Sequence, residues 1–187
     1  MKENNPDLNA RLFAAVEKET EALALVKDLI LRGADVNARD DDKSVPTLIH
    51  KACEERNTGM IQLLLEAGAD VNARNTYGQS AMHMAAAQGF ADILDLLINN
   101  GGDIGAKTNT GWTPLHEACW HGRVEVARKL LEAGADVNMR DEDGNTPLDQ
   151  ALSEDAHPFH REEIIDLFRE YAPEAVLEKF CTSAPGT

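Results

Sequence analysis

The sequence predicts an all-α repeat solenoid of about five units, and three observations carry that prediction. The segment GADVN stands at 33–37, 68–72 and 134–138, with GGDIG in register at 101–105. His50, His83 and His116 follow one another at intervals of 33 residues, and Asp149 takes the next place. A Leu-rich stretch precedes each of the four glycine-led segments. A fixed period of this length decides architecture before local propensity does, because each unit buries its apolar face only against its neighbours.

The units are read as 6–40, 41–74, 75–107, 108–140 and 141–173, together a repeat domain over 1–173. Residues 174–187 follow as a short C-terminal helix and tail. Residues 1–5 are polar. Asn5-Pro6 starts a helix, with Asn as cap and Pro in the tolerated first turn, and Leu8, Leu12, Ala15 and Val16 share one face. A second helix, about Glu21 to Leu31, carries Leu23, Leu25, Val26, Leu29 and Ile30 before Gly33 ends it. With Arg11, Glu17 and Lys18 on its outer side, this unit reads as a polar cap.

Three full units follow. Each opens with a turn (DDDKSV, NTYG or NTNTG), then a short Ala-rich helix, a break, a Leu-rich helix and the GADVN segment or its equivalent. Gly89 and Gly122 suit a left-handed break, and Arg56 occupies that place in the second unit at some strain. The fifth unit begins with DEDGNTPLDQA and inserts about four residues around SEDAHPFH. A helix from Glu162 to Tyr171 follows, and the unit ends at Ala172-Pro173 without a GADVN, as a terminal cap does.

TPLHEA at 113–118 and TPLDQA at 146–151, with the looser SAMHMA at 80–85 and TLIHKA at 47–52, resemble the signature of the ankyrin repeat. LLEAGADVN at 64–72 and 130–138 does the same. The resemblance covers roughly residues 8–172. It implies helix–turn–helix units joined by β-hairpin-like loops and stacked in a curved solenoid, with three full repeats between capping units. It also implies that the repeat histidine ties the helix start, and that function is protein binding without catalysis.

Composition narrows the classes further. Hydrophobic residues make up 43% but aromatics only 5%, so the packed positions are mostly Ala, Leu, Val and Ile. A net charge of −15 repels nucleic-acid phosphates and anionic membrane surfaces, and favours a basic partner protein. Cys53, Cys119 and Cys181 are an odd number. The first two stand where other repeats have Ala, which suits buried thiols in a reducing compartment. With no apolar leader or long apolar run, the expectation is a cytoplasmic monomer, closed at both ends by atypical units.

Candidate chemistry gives way to structural readings. His116 and His121 approach the zinc-protease spacing but are five residues apart, about 140° around a helix, instead of four. The pairs His50/Cys53 and His116/Cys119 lie two units apart, too far to share one ion. Asp141-Glu142-Asp143-Gly144-Asn145 begins like a calcium loop, yet its glycine comes too early, and turn chemistry explains it. His160 and Glu163 have no nucleophile beside them. No catalytic residue, metal site or cofactor is expected.

The fourth unit is neutral overall and owns both tryptophans, Trp112 and Trp120. Partner contacts are therefore placed on loop tips and first helices of the third and fourth units: Tyr77, Gln79, Met84, Gln88, Trp112, Glu117, Trp120 and His121. Two other readings stand beside this one. One is an enzyme or small-molecule binder that uses the groove with the 154–160 insertion as a lid. The other, implied by the resemblance, is a substrate of an asparaginyl hydroxylase at Asn37, Asn72 or Asn138.

Overall fold

The computed structural model describes residues 6–16, 22–39, 47–157 and 160–181. Eleven helices run through them in the expected order. They are α1 (Pro6–Val16), α2 (Ala22–Leu31), α3 (Leu48–Glu54), α4 (Thr58–Glu66), α5 (Ala81–Gln88), α6 (Ala91–Asn99), α7 (Pro114–Trp120), α8 (Val124–Glu132), α9 (Pro147–Leu152), α10 (Arg161–Tyr171) and α11 (Pro173–Cys181). Successive helices pair as α1/α2, α3/α4, α5/α6, α7/α8 and α9/α10. First helices form one layer, α1 to α3 to α5 to α7 to α9. Second helices form the other, α2 to α4 to α6 to α8 to α10, and α11 packs on α10.

The core runs through both layers. Leu12, Leu48, Ile49, Met82, Leu115 and Leu148 fill the first layer, and Leu29, Ile61, Leu64, Leu94, Leu130 and Phe168 fill the second. Cys53 and Cys119 are buried free thiols among them. Burial raises both thiol pKa values, that of Cys53 to about 12, so neither is ionised at neutral pH.

Polar bonds register one unit on the next. Ser80, Thr113 and Thr146 cap α5, α7 and α9 in reciprocal capping boxes with His83, His116 and Asp149. The backbone N–H groups of Ser80 and Thr113 donate to Nδ1 of His83 and His116, each at 3.1 Å. The neutral rings therefore carry their proton on Nε2. From there His50 donates to the Gln79 carbonyl at 2.9 Å, His83 to Trp112 at 3.1 Å and His116 to Asn145 at 3.1 Å, in each case one unit onward. Desolvation is the main cause that lowers all three imidazole pKa values, that of His83 to about 4. At the other end of the units, Asn37 Oδ1 accepts from the Asp70 N–H and Asn72 Oδ1 from the Asp103 N–H, both at 2.8 Å.

Several expectations are refined. The connecting loops close as tight turns, with Asn75, Thr108 and Asp141 N–H groups donating to Gln79, Trp112 and Asn145. Among the described residues they form no strand, only the bridge between Arg39 and Thr47. Leu25 is 42% exposed, so the apolar face of α2 is narrower than its sequence suggests. The helix expected from Glu162 begins at Arg161, and α11 reaches Cys181. Arg56 does adopt the left-handed conformation, at φ +50°, and its guanidinium lies 5.0 Å from the Phe90 ring, a contact that offsets part of the strain. The DDDKSV turn at 40–45, Glu17, Lys18, Glu21 and the tail from 182 lie outside the described residues.

Candidate functional site

Two loop tips and one helix build a depression of about 500 Å³ on the face made by the turns and first helices. The first tip carries Tyr77. Asn75 pins it, its Oδ1 accepting from the N–H groups of Tyr77 and Gln79, both at 2.9 Å. The second tip carries Trp112. Thr108 pins that one: its Oγ accepts from the Trp112 N–H at 3.0 Å while its own N–H donates to the Trp112 carbonyl at 2.8 Å.

The tips are also tied to each other. The Asn109 N–H donates to the Tyr77 carbonyl at 3.0 Å, and Asn109 Nδ2 to the Thr76 carbonyl at 3.0 Å. Glu142 N–H then reaches the Thr110 carbonyl at 3.1 Å, so the acidic tip of the fifth unit abuts the fourth. Gly111, at φ +81°, makes that approach possible. A Cβ there would sit 3.0 Å from the Asp141 Cα.

Of the eight expected contact residues, the structure brings Tyr77, Gln79, Trp112 and Glu117 together in this depression, with Thr108, Asn109 and Thr110 completing its wall. Tyr77 is 61% exposed. Glu117 lines the depression but is only 6% exposed, one of the buried residues of α7. Its Oε1 accepts from Gln79 Nε2 at 3.2 Å and its Oε2 lies 3.7 Å from His121 Nε2. Desolvation, partly countered by the Gln79 hydrogen bond, raises the Glu117 pKa above the ordinary carboxylate value. His121 is half-buried, and its pKa is lowered by desolvation first, then by Arg123 and His157.

Trp112 and Trp120 are half-buried and cover one another, ring centroids 5.6 Å apart and planes at 61°. Trp112 also stacks at 6.3 Å on His116. The Trp112 ring therefore lies back along α7 instead of standing free at the loop tip. Two residues fall elsewhere. Met84 is half-buried against the core. Gln88, at the far end of α5 from Gln79, borders a separate depression beside Gly89, Arg123 and His160.

Among the described residues, those of the 154–160 insertion do not line the Trp112 depression. Its described part folds behind Trp120, the His157 N–H donating to the Trp120 carbonyl at 3.0 Å. There the rings of His157 and His160 stack, centroids 5.7 Å apart. Asp141 is likewise engaged: its carboxylate accepts from the N–H groups of Asp143 and Asn145 and from Gln150 Nε2. Asn37, Asn72 and Asn138 are exposed, the first two holding the next unit as described. Among the described residues no group of three or more His, Cys, Asp or Glu side chains is arranged to hold a metal ion. Among them, too, no helix is long and apolar enough to cross a membrane.

Thr108 and Thr110 were not singled out from sequence. The signal available is the turn TNTG directly before Trp112, whose polar side chains have the composition of ordinary turn formers.

Comparison with known proteins agrees with the architecture. A family profile described as ankyrin repeats (3 copies) matches at residues 12–108, 52–141 and 102–175. Among curated relatives, the mouse B-cell lymphoma 3 protein homolog is 46% identical over 61 residues, 33% of this chain and 13% of its own length. The chicken nuclear factor NF-kappa-B p105 subunit is 41% identical over 70 residues, 37% of this chain and 7% of its own. The ankyrin repeat and LEM domain-containing protein 1 homolog of Caenorhabditis elegans is 37% identical over 73 residues, 39% of this chain and 10% of its own. The matched stretches thus span about an eighth or less of these relatives. The two-layer stack, the capped first helices and a profile match reaching from residue 12 to residue 175 agree, and the chain belongs to the ankyrin-repeat family.

Proposed function

We propose that this protein is a non-catalytic binding module that takes a segment of a partner protein on the face of loop tips and first helices, centred on Trp112. One observation carries the reading. Tyr77 and Trp112 border an open depression on turns whose backbone is hydrogen-bonded from within and from the neighbouring unit. Rigid aromatic side chains at such positions are the usual anchors of binding energy, since they offer large contact area for little conformational entropy. The family supports it too: ankyrin repeats are generally protein-interaction modules. The net charge of −15 favours a basic partner, and the protein acts as a monomer in the cytoplasm.

The catalytic reading is weaker because the depression offers a carboxylate but no nucleophile held against it. Glu117 is hydrogen-bonded to the amide of Gln79, and the hydroxyls of Thr108 and Thr110 bond each other at 3.0 Å.

The test is a partner captured from native extract with the wild-type protein, then titrated against Trp112→Ala. Affinity should fall at least tenfold and the melting temperature should stay within a few degrees. Unchanged affinity would place the binding face elsewhere.

A further inference from the structure

We infer that the depression between Tyr77 and Trp112 receives one cationic side chain, lysine or arginine, from an extended partner segment, with the Glu117 carboxylate as its counter-ion. This rests on the binding face proposed above and names the chemistry at its centre.

Glu117 is the reason. A carboxylate only 6% exposed is rare unless a cation pairs with it, because removing the charge from water is costly. Gln79 supplies a neutral donor at 3.2 Å. The other neighbour, His121 at 3.7 Å, could neutralise it only as imidazolium. Burial, together with Arg123 and His157, holds His121 below its ordinary pKa, so at neutral pH the ring is uncharged. The folded protein thus holds a nearly buried carboxylate whose two neighbours are neutral, at the edge of a cavity of about 500 Å³.

The walls select among occupants. An acidic side chain would be repelled by Glu117 and by a molecule of net charge −15. An apolar one would close off the last solvent from the carboxylate and give it no counter-charge. A lysine or arginine side chain lays its methylene stem along Trp112 and Tyr77, whose ring faces attract cations, and brings its charge to Glu117. The acidic tip Asp141-Glu142-Asp143, joined to Thr110 through the Glu142 N–H, adds attraction on approach.

The experiment selects peptides from a random twelve-residue display library on the wild-type protein at neutral pH. Each selected peptide is then titrated calorimetrically against wild type, Trp112→Ala and Glu117→Gln. The expected peptides contain a lysine or arginine, lose at least tenfold affinity to both variants, and lose as much when that residue becomes norleucine or citrulline. On Glu117→Gln the same peptide change should make little further difference. Melting curves of both variants accompany the titrations. If Glu117→Gln proves unstable, the norleucine and citrulline peptides on wild type still decide. Peptides that need Trp112 but tolerate Glu117→Gln and citrulline would overturn the cation pocket and leave the face standing. A selection yielding only peptides indifferent to Trp112→Ala, or none, would overturn both.

Discussion

His83 Nε2 donates to the carbonyl of Trp112 at 3.1 Å, so a buried imidazole of the third unit holds the backbone of the aromatic residue at the centre of the proposed binding face. The same nitrogen lies 3.0 Å from the Ala106 carbonyl. Stack and site are thereby coupled. A proton on Nδ1 of the inner histidines leaves the Nε2–H donor in place but loosens their own caps, among them the Thr113 cap beside Trp112.

Stability should accordingly fall in mild acid. Each repeat histidine uses Nδ1 as an acceptor for its own cap, and a proton there removes that acceptor. His83 has a folded pKa of about 4, against an ordinary 6.5. Below 6.5 the unfolded chain binds a proton that the native ring refuses. The stabilisation is complete above that value and is lost as pH falls toward about 4, on the order of 3 kcal/mol for His83 over the whole interval. His50 and His116 shift the same way, and Glu117 opposes them as a single group. Thermal melts at constant ionic strength should be flat from pH 8 to 7 and decline steadily below 6.5. A flat profile down to pH 4 would contradict the buried neutral rings.

Glu117→Gln should leave the protein as stable at pH 7, or raise its melting temperature by a few degrees. A carboxyl whose folded pKa is raised contributes stability only below its unfolded pKa, and that contribution disappears as pH rises through the folded value. At neutral pH the ionised form is a cost that glutamine removes while still accepting from Gln79. Near pH 4 the advantage should vanish. A loss of more than about 1 kcal/mol at pH 7, some 2–4 °C for a chain of this size, would mean that the carboxylate is structurally paired.

Leu115→Ala should cost about 2–5 kcal/mol in urea unfolding, because Leu115 is fully buried between neighbouring first helices. Thr113→Ala should cost about 1 kcal/mol through loss of the cap. Both variants should retain partner affinity at temperatures where they stay folded. A stable Leu115→Ala protein with lost affinity would move that residue from the core to the interface.

EDTA should leave the melting temperature unchanged. The spacings that hint at metal ligands resolve into other bonds: His116 is spent on Thr113 and Asn145, and Asp141 on its own turn and Gln150. A drop of several degrees would revive a metal site.

The architecture was legible because the 33-residue period, the TPLH caps and the glycine breaks are each local signals that agree with one another. Even the awkward Arg56 could be placed by register alone. The site was legible only in part. Tyr77 and Trp112 announce themselves by type and position, but the burial of Glu117 depends on Gln79 of the preceding unit and on His121 one helical turn away. Neither relation has a sequence period. Gln88 lies apart from Gln79 for a geometric reason: α5 is about 12 Å long at ~1.5 Å per residue, so its far end borders a different depression. Trp120 stands eight residues from Trp112, yet the two large rings lean along α7 and meet.

The most direct measurement is the map of backbone amide shifts when a peptide selected on the wild-type protein is added to the labelled protein. Shifts should concentrate at Tyr77, Gln79, Thr108 to Trp112 and Glu117, with the Trp112 indole N–H moving most. The second-helix residues of α4, α6 and α8 should stay nearly still. Shifts centred on α6 and α8, with the Trp112 indole unmoved, would contradict the placement of the binding face.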